Sequence, residues 1–178
     1  MASGSADPIT RTPKGLFDAL ASQVQVERLE VKWGNYDDLS ALRGMARLRV
    51  LKLGGASAVR DLTPLAGLVA VQELEIWSTK QVRRFDPIAS MVSVEKLIIG
   101  GALGSDRMVH VDSIGFLRRM PQVSSIHFPA LIVDDKDYEP LLSLPSLERV
   151  WVMKSRGMHP TIEVLQAALP WNEEYHRW

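Results

Sequence analysis

The 178-residue chain contains no cysteine, which excludes disulfide staples, thiolate nucleophiles and cysteine-ligated zinc or iron–sulfur centres. It also lacks an excess of charge: 21 basic side chains stand against 21 acidic ones. A nucleic-acid binder needs surplus cations to replace phosphate counterions, so nucleic acid is not an expected partner. Long apolar runs are missing too. The longest, Leu62 to Val71, includes Thr63 and Pro64 and is too short to cross a bilayer. No basic start followed by an apolar stretch reads as a signal peptide, so a soluble, cytoplasmic protein away from membranes is expected.

Catalytic signatures are equally scarce. His110, His127, His159 and His176 form no i, i+4 pair, and neither H-E-x-x-H nor G-x-S-x-G occurs. Gly100-Gly101-Ala102-Leu103-Gly104-Ser105 has neither the G-x-G-x-x-G spacing nor the G-K-[ST] of a phosphate loop, and reads as turn glycines. The expectation is no enzyme, no cofactor and no metal. What the chain has is 46% apolar residues, enough for one sizeable core in a chain of this length.

Those apolar residues recur in a fixed pattern. Val26-Leu29-Val31, Leu48-Leu51-Leu53, Val71-Leu74-Ile76, Val94-Leu97-Ile99, Val123-Ile126-Phe128 and Leu147-Val150-Val152 each read apolar-x-x-apolar-x-apolar. The closing alternation is that of a strand with one buried face. A second set follows at spacing three and three: Leu39-Leu42-Met45, Leu62-Leu65-Leu68, Phe85-Ile88-Met91, Ile114-Leu117-Met120 and Tyr138-Leu141-Leu144. That spacing suits one face of a short 3₁₀ or α turn. The last member always lies three residues before the next strand unit. Both registers stay fixed while the connection between them absorbs every length change, which is the signature of a solenoid.

Repeat lengths are 22, 23, 23, 29 and 24 residues. With L-x-x-L-x-L at the start of each unit, they resemble the leucine-rich repeat. Asp61-Leu62-Thr63-Pro64-Leu65-Ala66-Gly67-Leu68 and Phe85-Asp86-Pro87-Ile88 are similar to the D-L-T-P-L-x-x-L segment of bacterial internalin-type repeats. The resemblance implies an α/β solenoid with a parallel sheet on its concave face and helical caps at both ends. The family's usual asparagine, three residues after the last strand leucine, is absent. Gly34, Ala56, Thr79, Ala102, Leu131 and Ser155 stand there, so neighbouring main chain or water must satisfy the turns.

The expected boundaries are a disordered start at 1–11, a helical cap at 12–25, repeats over 26–155 and a closing helix with tail at 156–178. The first cap reads as a helix from Lys14 to Val24, with Thr12 as N-cap, Pro13 as first helical residue and an apolar stripe of Leu16, Phe17, Leu20 and Val24. The second runs from Pro160 to Leu169, with Ile162, Leu165 and Leu169 inward and Pro170 as stop. The long fourth repeat inserts its extra residues within Gly100 to Ser113 and reads as a surface loop. Asp134, Asp135, Asp137 and Glu139 read as negative charge at a helix start.

In a solenoid of this kind the residues between the strand leucines face outward on the concave side. They form three columns: Arg28, Val50, Glu73, Lys96, Ser125, Arg149; then Glu30, Lys52, Glu75, Ile98, His127, Trp151; then Lys32, Gly54, Trp77, Gly100, Pro129, Met153, with Trp33 one position on. Tryptophans where the repeat demands no hydrophobic group point to contact with a partner. Trp33, Trp77, Ile98, His127, Trp151 and Met153 are the expected exposed anchors. Arg28, Glu30, Lys52, Glu73, Glu75, Lys96 and Arg149 form a mixed-sign surround suited to a protein partner. The expectation is a monomeric, non-catalytic protein-binding module, with an immunity or inhibitor role as one narrower form. The alternative is a small-molecule or metal receptor, or an enzyme, using the His127/Trp151 region with the Asp134–Asp137 segment.

Overall fold

A computed structural model describes residues 14–21, 23, 25–34, 36–101 and 108–173. The expected Thr12 cap, Pro13, Val24, the middle of the fourth-repeat insertion and residues 174–178 lie outside them.

The alternating segments form parallel strands in a sheet ordered as in the chain: β1 (Arg28–Val31), β2 (Val50–Leu53), β3 (Glu73–Trp77), β4 (Lys96–Gly100), β6 (Ser125–Phe128) and β8 (Arg149–Val152). Register follows the repeat position by position. Arg28 pairs with Val50, Val50 with Glu73, Glu73 with Lys96, Lys96 with Ser125 and Ser125 with Arg149. The first two columns read from sequence are therefore rows of neighbours across the sheet.

Behind the sheet, 3₁₀ turns at Ser40–Gly44, Thr63–Leu65, Asp86–Ser90, Gly115–Arg119 and Glu139–Ser143 carry the second apolar set. Leu42, Leu65, Ile88, Leu117 and Leu141 each donate an amide to the carbonyl three residues back, at 2.9–3.1 Å. Tight i→i+3 bonding keeps the turns short, so every member of the set reaches the core and is buried. Each fully buried leucine contributes about 1.5–3 kcal/mol of transfer free energy, and the stacked repeats sum that along one continuous core.

The turns start on a recurring device. Asp38, Asp61 and Asp137 each accept the amide two residues on through Oδ1, from Ser40, Thr63 and Glu139 at 2.8–2.9 Å, while Ser113 Oγ accepts from Gly115 at 3.0 Å. Thr63 adds its hydroxyl to Asp61 at 2.6 Å, and these bonds hold the Asp61 carboxyl below its ordinary range. The acidic segment thus shapes the chain locally. Asp135 accepts the Asp137 amide at 3.0 Å in the same way.

Without asparagines, main chain satisfies main chain. Ala56 donates to the Trp77 carbonyl at 3.1 Å, Ser78 to that of Gly100 at 2.8 Å and Gly101 to that of Pro129 at 3.0 Å. Of the two side chains able to help, Ser155 meets the Tyr138 hydroxyl at 3.2 Å, while Thr79 Oγ1 is buried with no partner among the described residues.

Two elements depart from expectation. Part of the long fourth-repeat connection is not loop but strand: β5 (Val109–Val111) pairs in parallel with β7 (Leu131–Val133) in a second, smaller sheet. Leu131 is buried in that strand, which explains an apolar residue where a turn asparagine was looked for. The first helix, α1 (Lys14–Ala21), buries Phe17 but leaves Leu20 exposed at 40%. At the far end α2 (Ile162–Ala168) buries Ile162 and Leu165, and residues 170–172 run beside β8. There Val150 donates to the Pro170 carbonyl at 3.1 Å and Asn172 to that of Val150 at 3.0 Å.

Candidate binding face

Over β1–β4 the first two columns interlock as an ion ladder. Lys52 Nζ lies 2.7 Å from Glu75 Oε1, 2.9 Å from Glu73 Oε1 and 3.9 Å from Glu30 Oε1. Lys96 Nζ lies 2.6 Å from Glu73 and 3.5 Å from Glu75, and Arg28 pairs with Glu30. Lys52 faces Glu30 and Glu75 directly across the ladder and Lys96 faces Glu73, the remaining pairs being diagonal or, for Arg28, along its own strand. Partial burial pushes the Glu73 carboxyl up, but bonds from Lys96 and Lys52 outweigh it and hold its pKa at about 2. Burial likewise works against the charged Lys52, yet Glu75 and Glu73 keep its pKa raised. These residues were expected to steer a partner; in the structure most of their charge is spent on one another. Arg149 alone of the group is exposed with no ion pair among the described residues.

Just past the strand ends the third column opens a groove of about 400 Å³, walled by Trp33 and Trp77 and bordered by Glu30, Lys32, Lys52, Glu75 and Ser78. Gly54 and Gly55 line it as well. A Cβ on Gly54 would sit 2.2 Å from the Lys32 carbonyl oxygen, so only glycine allows the two turns to approach this closely. Gly55 adopts φ +64°, and Trp33 rests against it, its Cε3 3.5 Å from where a Cβ would stand. Tyr36, buried and stacked on Phe17 at 4.7 Å, donates its hydroxyl to the Gly54 carbonyl at 3.0 Å. Trp33 is 54% exposed. Trp77 is half-buried, its indole Nε1 3.3 Å from Glu75 Oε2. Gly55 and Ser78 were missed by the sequence reading, because the repeat pattern stops at the strand and the turns that follow vary.

Over β4, β6 and β8 the same columns behave differently. Ile98 and His127, expected as exposed anchors, are each only 6% exposed, and Ser125 beside them is 2% exposed. One register row runs Ile98, His127, Trp151, and the Trp151 ring meets His127 edge-on at 5.3 Å. Neighbours in one row stand about 5 Å apart, close enough for the His127 and Trp151 rings to touch on the concave side, and Ile98 lies outside the main core. Trp151 and Met153 are half-buried.

The Asp134–Asp137 segment, joined to His127 in the alternative reading, follows β7 of the second sheet. Asp134 pairs with Arg83 and with His110 Nδ1 at 2.8 Å, and Arg83 reaches Asp112 at 2.9 Å. Among the described residues no three histidine, aspartate or glutamate side chains come together as metal ligands, and no helix is long and apolar enough to cross a membrane.

By sequence, the chain matches no family model and no curated protein. By structure, its architecture is the bacterial leucine-rich-repeat fold. Internalin C2 of Listeria monocytogenes superposes with a TM-score of 0.64 at 21% identity, over 85% of this chain. An internalin F of the same organism gives 0.56 at 15% identity over 87%, and a leucine-rich-repeat protein of Leptospira interrogans gives 0.54 at 11% over 90%. The chain spans 62%, 49% and 47% of the lengths of those three structures.

Proposed function

We propose that this protein is a non-catalytic binding module that docks a protein partner on the half of its concave face formed by β1–β3. The observation that carries the reading is the groove between Trp33 and Trp77: an indole left more than half in water gains most from burial against a partner. The ion ladder beside it supports the same reading, since charges already fixed against one another need little reordering on association. In this reading the chain acts as a monomer in the cytoplasm, and blocking a toxin or enzyme, as immunity proteins do, is its narrower form. Light scattering and cell fractionation check the first two.

The test is affinity capture from the source cells, compared between the wild type and a Trp33→Ala/Trp77→Ala variant. Proteins retained by the wild type should be lost by the variant while its circular dichroism stays unchanged. Equal capture by both would overturn the site.

A further inference from the structure

Resting on that reading, we propose that the groove takes a partner segment in which an aromatic side chain lies next to a carboxylate. The aromatic half follows from shape. Two indoles, Trp33 and Trp77, line the groove together with Gly54 and Gly55, so a flat ring that enters it meets them in offset or edge-on contact. Gly54 makes little polar demand of its own, because its carbonyl already accepts from Tyr36. An apolar ring therefore enters without stranding that acceptor.

The carboxylate half follows from charge. Four ionic side chains border the groove: Glu30, Lys32, Lys52 and Glu75. Glu75 holds Lys52 at 2.7 Å, and Glu30 is paired with Arg28. Lys32 remains: it is exposed and makes no ion pair among the described residues. A partner cation would have to displace Arg28 or Lys52 from its carboxylate. A partner carboxylate meets an unspent ammonium instead, and complementarity of this kind decides which segment is accepted.

The probe is the tetrapeptide Gly-Phe-Asp-Gly, blocked at both ends and titrated into the full chain while the indole N–H signals of Trp33 and Trp77 are followed by NMR. Both signals should shift saturably. Replacing Phe by Ala in the peptide should abolish the shift, and replacing Asp by Lys should weaken binding about fivefold, the scale of an exposed ion pair made and then reversed. In Lys32→Glu the preference should invert, with the Phe-Lys peptide binding better. Lys32 is exposed and its side chain packs no core, so the variant keeps the fold. No saturable shift up to about 10 mM peptide, weaker than any useful docking, would overturn the proposal. So would equal binding of the Asp and Lys peptides by the wild type. If capture is lost in Trp33→Ala/Trp77→Ala yet Lys32→Glu leaves peptide preference unchanged, the docking face stands and the occupant's chemistry is wrong.

Discussion

The two halves of the concave face share one register and one repeat, yet one is open and the other closed. Over β1–β3 most outward residues are charged and pair with one another in the ladder, and the groove lined by Trp33 and Trp77 opens beside them. Over β4, β6 and β8 the matching positions include Ile98, Ser125 and His127, which are buried, and Trp151, whose ring meets His127 edge-on. Register places a residue on a face. Its neighbours one strand away decide whether that face is a surface or a second small core.

The largest effect should come from the feature the two halves have in common, close approach of backbones at the third column. A Cβ on Gly100 would lie 2.3 Å from the Pro129 carbonyl oxygen, whereas one on Gly67 meets nothing within 4 Å. Gly100→Ala is therefore expected to destabilise the protein by about 3 kcal/mol, and Gly67→Ala by less than about 0.5 kcal/mol. Denaturant titration reads both. Equal midpoints for the two variants would show that the turns tolerate more than their spacing allows.

Next comes the pair that separates the halves. His127→Ala empties a buried position and removes the edge contact with Trp151, at an expected cost of about 2 kcal/mol. Trp33→Ala removes a larger side chain from a more exposed site, yet should change stability by only about 0.5 kcal/mol. Thermal unfolding that ranked Trp33→Ala as the more damaging would erase the distinction between open and closed.

The smallest effect sharpens the ladder. Glu73 has a folded pKa of about 2 against an ordinary 4.5. A depressed carboxylate stabilises fully above its unfolded value and loses that contribution as pH falls through the folded one. Stability should therefore decline between about pH 4.5 and 2, and Glu73→Gln should flatten the decline. A variant with the wild-type slope would show that the Lys52 and Lys96 bonds contribute little to folding.

How far the sequence spoke depends on which interaction is asked about. The fixed registers made the sheet order and the columns legible, because a period of two on strands and three on turns leaves one way to bury Leu29, Leu51 or Leu117. β5 escaped notice since Val109-His110-Val111 is too short to stand out from a variable connection. The burial of Ile98 and His127 escaped for a different reason: a local pattern does not carry what lies over a strand, and their row neighbours on the next strand of the sheet are 24 or more residues away in sequence. The groove was half visible. Gly54 and Trp77 lie in one column, but that Trp33, Lys32 and Gly55 join them around one groove follows only from the turns beyond the strands.

The central claim is that a partner sits on the open half of this face. Hydroxyl-radical footprinting of the captured complex tests it most directly, since it reads the accessibility of individual indoles. Trp33 and Trp77 should be protected on binding while Trp151, already packed on His127, keeps its free-state reactivity. Protection of Trp151 with Trp33 and Trp77 unchanged would contradict the account.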